Sequence, residues 1–279
     1  MVKDGHVLPA NEPFLRHATP SLEQWDGALG PGVLNAVSAT KGAVELARKS
    51  ALGCVALANT NHWMRGGYYG WLAAKAGCVF IGWSNTIANM PAYGAKDVRL
   101  GNNPLVIAVP FGDEAIVLDM ALSQFSYGAM QMAALKGEEL SVYGGYNNEG
   151  QLTKDPSVIM ETGRTLSIGY WKGAGLSLLL DIVSAVLSGG MATHEVTKQK
   201  VEKGLSQVFI AIDTTQLQNY RGINACLQNI VSDYKQSVSE SEVLYPGERV
   251  RRTRERNLKD GIPVVTRIWR QIQALQSNA

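Results

Sequence analysis

Short apolar runs alternate with helical patterns along the chain, and they predict a mixture of strands and helices. Mainly aliphatic runs bounded by Gly, Pro or polar residues are typical of buried strands. They predict strands at 53–58, 78–84, 105–110, 115–122 and 205–214. The sequence Phe-Gly-Asp-Glu separates the third run from the fourth, which indicates a hairpin.

Helical spacing of apolar residues fills most of the intervals between these strands. It predicts helices at 33–50, 67–76, 126–135 and 174–187. The segment 85–104 contains repeated Pro and Gly, so we expect a long loop there, and loops of this length are usually functional or mobile.

The pattern also predicts how the chain is divided. Residues 1–32 lack a clear period and are expected to form an extended lead-in. Residues 33–215 are expected to form a mixed-sheet domain. Residues 216–279 are mainly helical, with breaks at 245–249 and 260–263, and are expected to pack back on the core.

The predicted fold class is α/β with a mixed sheet and additional C-terminal helices. The order of elements lacks the regular rhythm of βαβ units, which disfavours a doubly wound parallel sheet. No G-x-G-x-x-G lies between a strand and a helix, and no P-loop, H-E-x-x-H, paired C-x-x-C or G-x-S-x-G motif occurs. A standard Rossmann fingerprint and a zinc-protease motif are therefore excluded, and no metal site is expected.

Composition places the chain among ordinary globular proteins, with 46% hydrophobic and 18% charged residues in a length of 279. A net charge of +2 gives no indication of binding to nucleic acid or to an acidic membrane. Three cysteines, two of them in apolar runs, argue against a disulfide framework and favour the cytoplasm. We expect no signal peptide, and we expect the apolar stretch 176–190, interrupted by Asp181, to be a buried helix rather than a membrane span.

The stretch NHWMRGG, which follows a predicted strand, holds the first candidate site residues. His62 and Arg65 lie in the predicted loop after this strand. Gly66 and Gly67 are expected to let the backbone approach a ligand closely. Arg65 is suited to clamp an anionic substrate through a bidentate contact. The alternatives, a histidine that caps a turn and a solvated arginine, fit the spacing equally well.

Asp119 is a second candidate because its neighbours in AIVLDMAL are aliphatic. An unpaired carboxylate buried there would be costly and its pKa would be raised, and such carboxylates are enriched at functional sites. The alternative is a structural aspartate that caps a nearby helix or pairs with an arginine.

Two further segments could meet an anion at the start of a helix. Trp171 and Lys172 precede a predicted helix in GYWKGAGLS, and Gly247–Arg249 lie in PGER. For the first, a glycine-rich helix start with an exposed lysine is the simpler interpretation. The basic run 249–256 is most simply a solvated helix face, because no nucleic-acid recognition motif surrounds it.

Long motifs distributed over nearly the whole chain have a familiar order. They are NHWMRGGYYGW, GWSNTIANMPAYGAK, GNNPLVIAVP, VLDMALSQFSYG, EGQLTKDP, GYWKGAGLSLLLDIVSAVLSGG, SQVFIAID and PGE. Together they resemble the non-Rossmann malate/L-lactate dehydrogenase family, and the NHWMRGG form is most similar to its 2,3-diketo-L-gulonate reductase branch. The resemblance implies a homodimeric, NAD(P)H-dependent oxidoreductase that reduces a 2-keto sugar acid on a mixed-sheet fold without the glycine fingerprint. NADH versus NADPH stays open, as does malate or lactate as the substrate.

The resemblance also implies roles for individual residues. His62 and Arg65 would bind or polarise the substrate, and Asp119 would orient a proton-donating histidine. The nicotinamide would lie near Ser84 and Asn85. The full set expected to bind the cofactor is Ser84, Asn85, Ala115, Ile116, Val117, Leu118, Asp119, Met120, Ala121, Trp171, Lys172, Gly247, Glu248 and Arg249. At the last three positions this chain has Gly-Glu-Arg where the branch has Gly-His-Glu, so that contact departs from the pattern.

The proton donor is the main departure from the family pattern. Family members carry a helical N-terminal segment that ends in Ser-His-Gly, and this histidine donates the proton to the substrate carbonyl. No Ser-His-Gly occurs in these 279 residues. We therefore expect the N-terminal segment to be missing and reduction to be impaired. The alternative is an inactive remnant that binds nucleotide or dimerises with a full-length relative.

Overall fold

The computed structural model describes residues 1–276. Backbone packing divides the chain into two compact units, the first formed by Met1–Gln228 and the second beginning at Asn229. The divisions predicted at 32/33 and 215/216 stay predictions.

The strands and helices follow the chain in an irregular order. The strands are β1 (Phe14–Ala18), β2 (Leu22–Asp26), β3 (Leu52–Thr60), β4 (Cys78–Ser84), β5 (Met90–Pro91), β6 (Val98–Leu100), β7 (Leu105–Phe111), β8 (Glu114–Met120), β9 (Gly145–Tyr146), β10 (Leu152–Thr153) and β11 (Leu205–Asp213). The helices are α1 (Gly32–Ser50), α2 (Gly67–Lys75), α3 (Tyr127–Lys136), α4 (Pro156–Thr162), α5 (Trp171–Ser188), α6 (Thr193–Lys198), α7 (Tyr220–Lys235), α8 (Glu248–Asp260) and α9 (Thr266–Gln276).

One mixed sheet has the strand order β1-β2-β3-β11-β4-β7-β8. Strand β2 pairs with β3 in parallel, β11 is antiparallel to both β3 and β4, and β7 is antiparallel to both β4 and β8. Strands β2, β3, β4 and β8 therefore run in one direction. Their C-terminal ends, at Asp26, Thr60, Ser84 and Met120, lie at one side of the sheet, which we call the carboxyl edge. The mixed α/β class predicted from the sequence is confirmed.

Helices cover both faces of this sheet. Val55 and Phe209 belong to a core cluster with apolar residues of α1 and α2, whereas Cys54 and Val208 belong to a cluster with Leu180 of α5. Successive strand residues thus face opposite layers, as the pleat requires. Because the central strands are buried on both faces, they appear in the sequence as nearly continuous apolar runs.

Most predicted elements are present, but β1, β2 and the short strands β5, β6, β9 and β10 were missed, and β5 and β6 lie in the predicted loop 85–104. The bounds 78–84 agree with β4, and the predicted hairpin corresponds to β7 and β8. Residues 14–26, expected to belong to an extended lead-in, form β1 and β2 of the main sheet. Every residue of β1 is exposed. An edge strand of this kind leaves no alternating apolar pattern in the sequence.

The prediction that α5 is a buried helix is wrong for its outer face. Ser177, Leu180 and Ser184 face the sheet and are buried, whereas Ile182 and Val186 are 45% and 71% exposed. Small inward side chains bring α5 close to the sheet, so its larger aliphatic residues point outwards. Within residues 1–276, α5 is the one helix long and apolar enough to span a membrane by length and composition.

The three cysteines are free thiols. Cys54 in β3 and Cys78 in β4 are buried, and Cys226 on α7 is exposed. Burial raises the pKa of the Cys54 thiol to about 11.

Candidate active site

Strand direction brings several predicted site residues to the carboxyl edge. His62 follows the end of β3, Ser84 ends β4, and Asp119 is the penultimate residue of β8. These strands run the same way, so residues distant in sequence meet at one side of the sheet. Clefts outside the carboxyl ends of strands are common ligand sites in α/β proteins.

The segment 61–66, which we call the His62 loop, alternates between anchored and outward residues. Trp63 is buried and stacks on Tyr69 with ring centroids 5.5 Å apart, and the Tyr69 hydroxyl donates to the Trp63 carbonyl at 2.6 Å. The Asn61 amide donates to the carbonyls of Leu29 and Gly30 at 2.8 and 3.0 Å. These contacts fix the backbone of a loop that presents other side chains outwards.

The outward residues of the His62 loop are half-buried His62 and exposed Met64 and Arg65. The Met64 N–H donates to His62 Nδ1 at 2.9 Å, and Met64 has a φ of +65°. Nε2 of His62 takes part in no hydrogen bond within residues 1–276, and Arg65 has no ion-pair partner there. A ring nitrogen and a guanidinium are therefore available to a ligand at the carboxyl edge.

The expected burial of Asp119 is wrong, because its side chain is exposed at the end of edge strand β8. Ala115 and Val117, on the same face, are covered by α2, but α2 begins level with Asp119. Asp119 Oδ2 accepts the N–H of Gly67, the first residue of α2, at 2.8 Å. The alternative interpretation, an aspartate that caps a nearby helix, describes this contact, and the carboxylate remains accessible.

Gly66 and Gly67 have a packing role that the sequence analysis did not predict. Both residues are buried, and added Cβ atoms would lie 2.7 Å from Val106 Cγ2 and 2.9 Å from Asp119 Oδ2 respectively. A Cβ on Gly70 would lie 2.9 Å from that of Ala108. These glycines let α2 approach β7 and β8 closely, and the expected approach of the loop backbone to a ligand stays a prediction.

Ser84 and Asn85 lie at the carboxyl edge with their side chains turned inwards. Both are buried, and Ser84 Oγ donates to the Asn85 carbonyl at 2.8 Å. The Asn85 amide donates to Asp181 Oδ1 at 3.0 Å and to the Met191 carbonyl at 2.8 Å, and its Oδ1 accepts the Ser206 N–H. Asn85 therefore connects β4, α5 and β11.

Trp171 and Lys172 lie in the first turn of α5, which begins three residues earlier than predicted. The N–H groups of Lys172 and Gly173 donate to the Gly169 and Ile168 carbonyls, so they are not free for an anion. The Trp171 ring is 64% exposed and the Lys172 side chain is also exposed. The simpler interpretation, a glycine-rich helix start with an exposed lysine, describes this backbone.

The start of α5 is held beside the end of β8 by backbone hydrogen bonds. The Ile168 N–H donates to the Leu122 carbonyl at 2.9 Å, and the Leu122 N–H donates to the Asn102 carbonyl at 2.8 Å. Helix α2 starts beside the same strand on the opposite face of the sheet. The exposed Trp171 and Lys172 thus belong to the same end of the first unit as the His62 loop.

Gly247–Arg249 belong to the second unit, where the Glu248 side chain forms ion pairs with two cationic side chains. Its carboxylate is 2% exposed and accepts hydrogen bonds from Lys235 Nζ at 2.8 Å and from Arg252 at 2.6 Å. Burial acts to raise the pKa of Glu248, but the hydrogen bonds from these two cations outweigh it and hold the pKa below its ordinary value. Gly247 has a φ of +92°, and the Arg249 side chain is exposed.

Comparison with known proteins identifies the family. The family model described as malate/L-lactate dehydrogenase matches residues 1–273.

The chain belongs to the malate/L-lactate dehydrogenase family.

Similar members of the malate/L-lactate dehydrogenase family include enzymes and solved structures. A 2,3-diketo-L-gulonate reductase of Klebsiella pneumoniae (strain 342) is 42% identical over 276 residues, which cover 98% of this chain and 83% of that relative. A solved structure of a putative malate/lactate dehydrogenase from E. coli is 26% identical, with a TM-score of 0.90 over 96% of this chain and 77% of that one. Sulfolactate dehydrogenase from Methanocaldococcus jannaschii is also 26% identical, with a TM-score of 0.86 over 99% of this chain and 81% of that one.

Membership of the malate/L-lactate dehydrogenase family supports an oxidoreductase. The carboxyl edge of this family member also contains polar residues that the sequence did not single out. Gln207 of β11 is fully buried, and its amide donates to the Asn61 carbonyl at 3.3 Å. Its Oε1 and the Asn61 Oδ1 accept no hydrogen bond from the described residues. A glutamine inside the apolar run LSQVFIAID was a signal for this position. Within residues 1–276 no group of three His, Cys, Asp or Glu residues is arranged to hold a metal ion.

Proposed function

We propose that this chain is an NAD(P)H-dependent reductase of a 2-keto sugar acid, of the 2,3-diketo-L-gulonate reductase type. One observation carries the proposal. In a member of this dehydrogenase family, the carboxyl edge presents Nε2 of His62 and the guanidinium of Arg65, neither of which pairs with residues 1–276, together with the accessible carboxylate of Asp119. The 42% identity to a 2,3-diketo-L-gulonate reductase supports the sugar-acid substrate.

The chemistry of a 2-keto acid matches the two outward side chains of the His62 loop. Its carboxylate is a planar anion, and a guanidinium binds such anions through two parallel hydrogen bonds. Its keto oxygen, one carbon away, is a hydrogen-bond acceptor for an imidazole N–H. We assign the carboxylate to Arg65 and a neighbouring oxygen to His62.

Trp171, Lys172 and the end of β8 fit a dinucleotide. An exposed ring offers a surface for stacking, and an exposed cation offers a partner for a phosphate. When bound, the nicotinamide supplies the hydride. Because the side chains of Ala115 and Val117 are buried under α2, the backbone of residues Ala115–Ala121 would line this cofactor, with Asp119 nearest the substrate. The side chains of Ser84 and Asn85 form hydrogen bonds within the protein, so we propose that these residues shape the nicotinamide pocket without bonding to the cofactor.

The cofactor contact expected at Gly247–Arg249, in the second unit, stays a prediction. The carboxylate of Glu248 is already satisfied by Lys235 and Arg252, so the backbone and the Arg249 guanidinium would make the contact. NADH is the proposed donor, and the same guanidinium would also suit the 2′-phosphate of NADPH.

Reduction also needs a proton donor, and these 279 residues contain no Ser-His-Gly motif to supply one. A positioned general acid typically contributes about 10²- to 10⁴-fold to the rate. We therefore expect the 279-residue polypeptide, assayed by itself, to reduce 2,3-diketo-L-gulonate at least about 100-fold more slowly than the Klebsiella pneumoniae relative. The second candidate function is nucleotide binding without turnover.

Parallel binding and rate measurements test the proposal. Purified chain is titrated with NADH and NADPH, and oxidation of each is followed with 2,3-diketo-L-gulonate, oxaloacetate and pyruvate. We expect cofactor binding and slow, substrate-dependent oxidation that is fastest with the sugar acid. Binding without oxidation would support the second candidate. Absence of binding to both nucleotides would contradict both functions.

A homodimer in the cytoplasm completes the proposal. The exposed aliphatic face of α5 supports association, because apolar patches of this kind commonly mark interfaces.

A further inference from the structure

We infer that His62 acts as a neutral hydrogen-bond donor through Nε2, with Nδ1 held unprotonated by the Met64 backbone. This inference rests on the proposed function and assigns His62 to holding and polarising a substrate oxygen, not to releasing a proton to it. The observation behind it is the 2.9 Å hydrogen bond from the Met64 N–H to Nδ1.

The direction of this hydrogen bond determines the tautomer. A backbone N–H is only a donor, so the nitrogen that accepts from it must have a free lone pair. A neutral imidazole carries one N–H and one acceptor nitrogen. With Nδ1 as the acceptor, the single ring proton of His62 is on Nε2. Nε2 takes part in no hydrogen bond within residues 1–276, so this proton is available to a ligand.

The backbone conformation of the His62 loop produces the contact. Met64 has a φ of +65°, a left-handed conformation that side-chain-bearing residues seldom adopt. Trp63, the residue before Met64, is buried. Gly67, three residues after Met64, is held by its hydrogen bond to Asp119. The Met64 N–H is thus held by contacts on both sides of it.

Proton donation by this ring is unfavourable, because it requires either a charged ring that loses the hydrogen bond to Met64 or a neutral ring that becomes an anion. A charged imidazolium carries N–H groups at both nitrogens, so Nδ1–H would face the Met64 N–H and the bond would be lost. A neutral ring that gave up its Nε2 proton would become an imidazolate. A neutral imidazole that polarises a carbonyl needs neither state. His62 is suited to that role, and Arg65 supplies the positive charge.

Nuclear magnetic resonance of the ¹⁵N-labelled chain tests the tautomer directly. The pH is held near 8.5, about two units above the ordinary histidine pKa, so that an unperturbed ring is neutral. We expect an N–H···N scalar coupling between the Met64 amide nitrogen and His62 Nδ1, with the ring proton on Nε2. His62→Gln assigns the signals. His17, exposed on β1, is the internal control and should show averaged tautomers. A proton on Nδ1, or averaging like that of His17, would overturn the inference.

Substrate binding tests the role of the donor. Affinity for 2,3-diketo-L-gulonate is measured by calorimetry on His62→Gln, which keeps an N–H donor, and on His62→Glu, which offers acceptors. We expect His62→Gln to bind within about tenfold of the wild type and His62→Glu to lose at least about tenfold more. His17→Gln, the same exchange at an exposed histidine of β1, is the matched control and should retain both coupling and affinity. Equal affinities for the Gln and Glu variants would contradict the role.

The two proposals fail in different ways. If the wild-type chain binds no keto acid, the proposed substrate is wrong, and the coupling still decides the tautomer. If the keto acid binds but the coupling is absent, the substrate assignment stands and the donor assignment falls.

Discussion

Asp119 accepts the backbone N–H of Gly67 at 2.8 Å, across a sequence separation of 52 residues. This hydrogen bond joins the C-terminal end of edge strand β8 to the first turn of α2. The His62 loop leads directly into that turn. The position of His62 and Arg65 relative to the sheet therefore depends on a carboxylate from a distant strand.

Replacing Asp119 separates its two roles. Asp119→Asn keeps a side-chain oxygen for the Gly67 N–H, so we expect an intact fold but slower reduction of any keto acid. Asp119→Ala removes the acceptor and should cost about 1 kcal/mol of unfolding free energy, the usual value of a helix cap. Urea unfolding and NADH oxidation give the two readouts. An unchanged rate in Asp119→Asn would leave the residue with a structural role alone.

Gly67→Ala tests the close approach of α2 to β8. The new Cβ would lie 2.9 Å from Asp119 Oδ2 and 3.2 Å from Asp119 Cβ, so the carboxylate must move and its hydrogen bond weakens. We expect a loss of about 1 kcal/mol in unfolding free energy. Gly128→Ala, on α3, meets no atom within 4 Å and serves as the matched control. The control should be neutral or stabilising by up to about 1 kcal/mol. Equal effects at both positions would argue against the constraint.

Arg65→Ala is expected to weaken binding of the acid more than binding of the cofactor. Loss of hydrogen bonds to a charged group should raise KM for 2,3-diketo-L-gulonate about tenfold or more, with little change for NADH. Arg99→Ala is the control, because Arg99 is exposed and pairs with its neighbour Asp97. Steady-state kinetics with each substrate varied in turn makes the measurement. A matching rise in KM for NADH would remove Arg65 from the substrate site.

Glu248→Gln should change the pH dependence of stability in the second unit. The pKa of Glu248 is held below the ordinary value of about 4.3, so its charged form stabilises the fold above that pH. This contribution is lost as the pH falls through the lower, folded pKa. The variant should therefore be less stable than the wild type at pH 7, and the difference should shrink in acid.

Glu255→Gln controls for the loss of a charge on the same helix. Glu255 is exposed and lies 3.9 Å from Arg251, so its replacement should have little effect at any pH. The free energy of unfolding of both full-chain variants is compared by urea unfolding between pH 3 and pH 7, followed by circular dichroism of the helices. A Glu248→Gln difference that grew in acid would contradict the assigned direction of the pKa.

The outer face of α5 is expected to mediate association. Val186→Asp places a charge on an aliphatic position that is 71% exposed and should convert a dimer to monomers. Leu135→Asp on α3, where the leucine is 60% exposed, adds the same charge elsewhere and should leave the mass unchanged. Sedimentation equilibrium measures both. A Val186→Asp chain that remained dimeric would place the interface on another surface.

The sequence predicted elements well where burial on both faces leaves an apolar run. Strand β4 has its predicted bounds, whereas the exposed β1 has no pattern from which to predict it. Aliphatic neighbours suggested that Asp119 is buried. Its exposure depends on β8 being the edge strand and on where α2 begins, and both are tertiary facts.

The candidate site was predicted in part. His62 and Arg65 were recognised by residue type and loop position, but their proximity to Asp119 follows from strand directions across the sheet. Only the packing of α2 against β7 and β8 reveals the role of Gly66 and Gly67. The tautomer of His62 depends on one backbone dihedral angle, at Met64, and a dihedral angle cannot be read from residue types.

The placement of the three thiols makes the chain a reporter of its own unfolding. Reaction with electrophiles requires an accessible thiolate, and the Cys54 thiol, with a pKa of about 11, is protonated at neutral pH. A thiol-directed dye would therefore label Cys226 first and give one fluorophore on α7 without mutagenesis. Labelling of Cys54 and Cys78 requires the central strands to separate. Stoichiometry above one dye per chain would then count openings of the sheet.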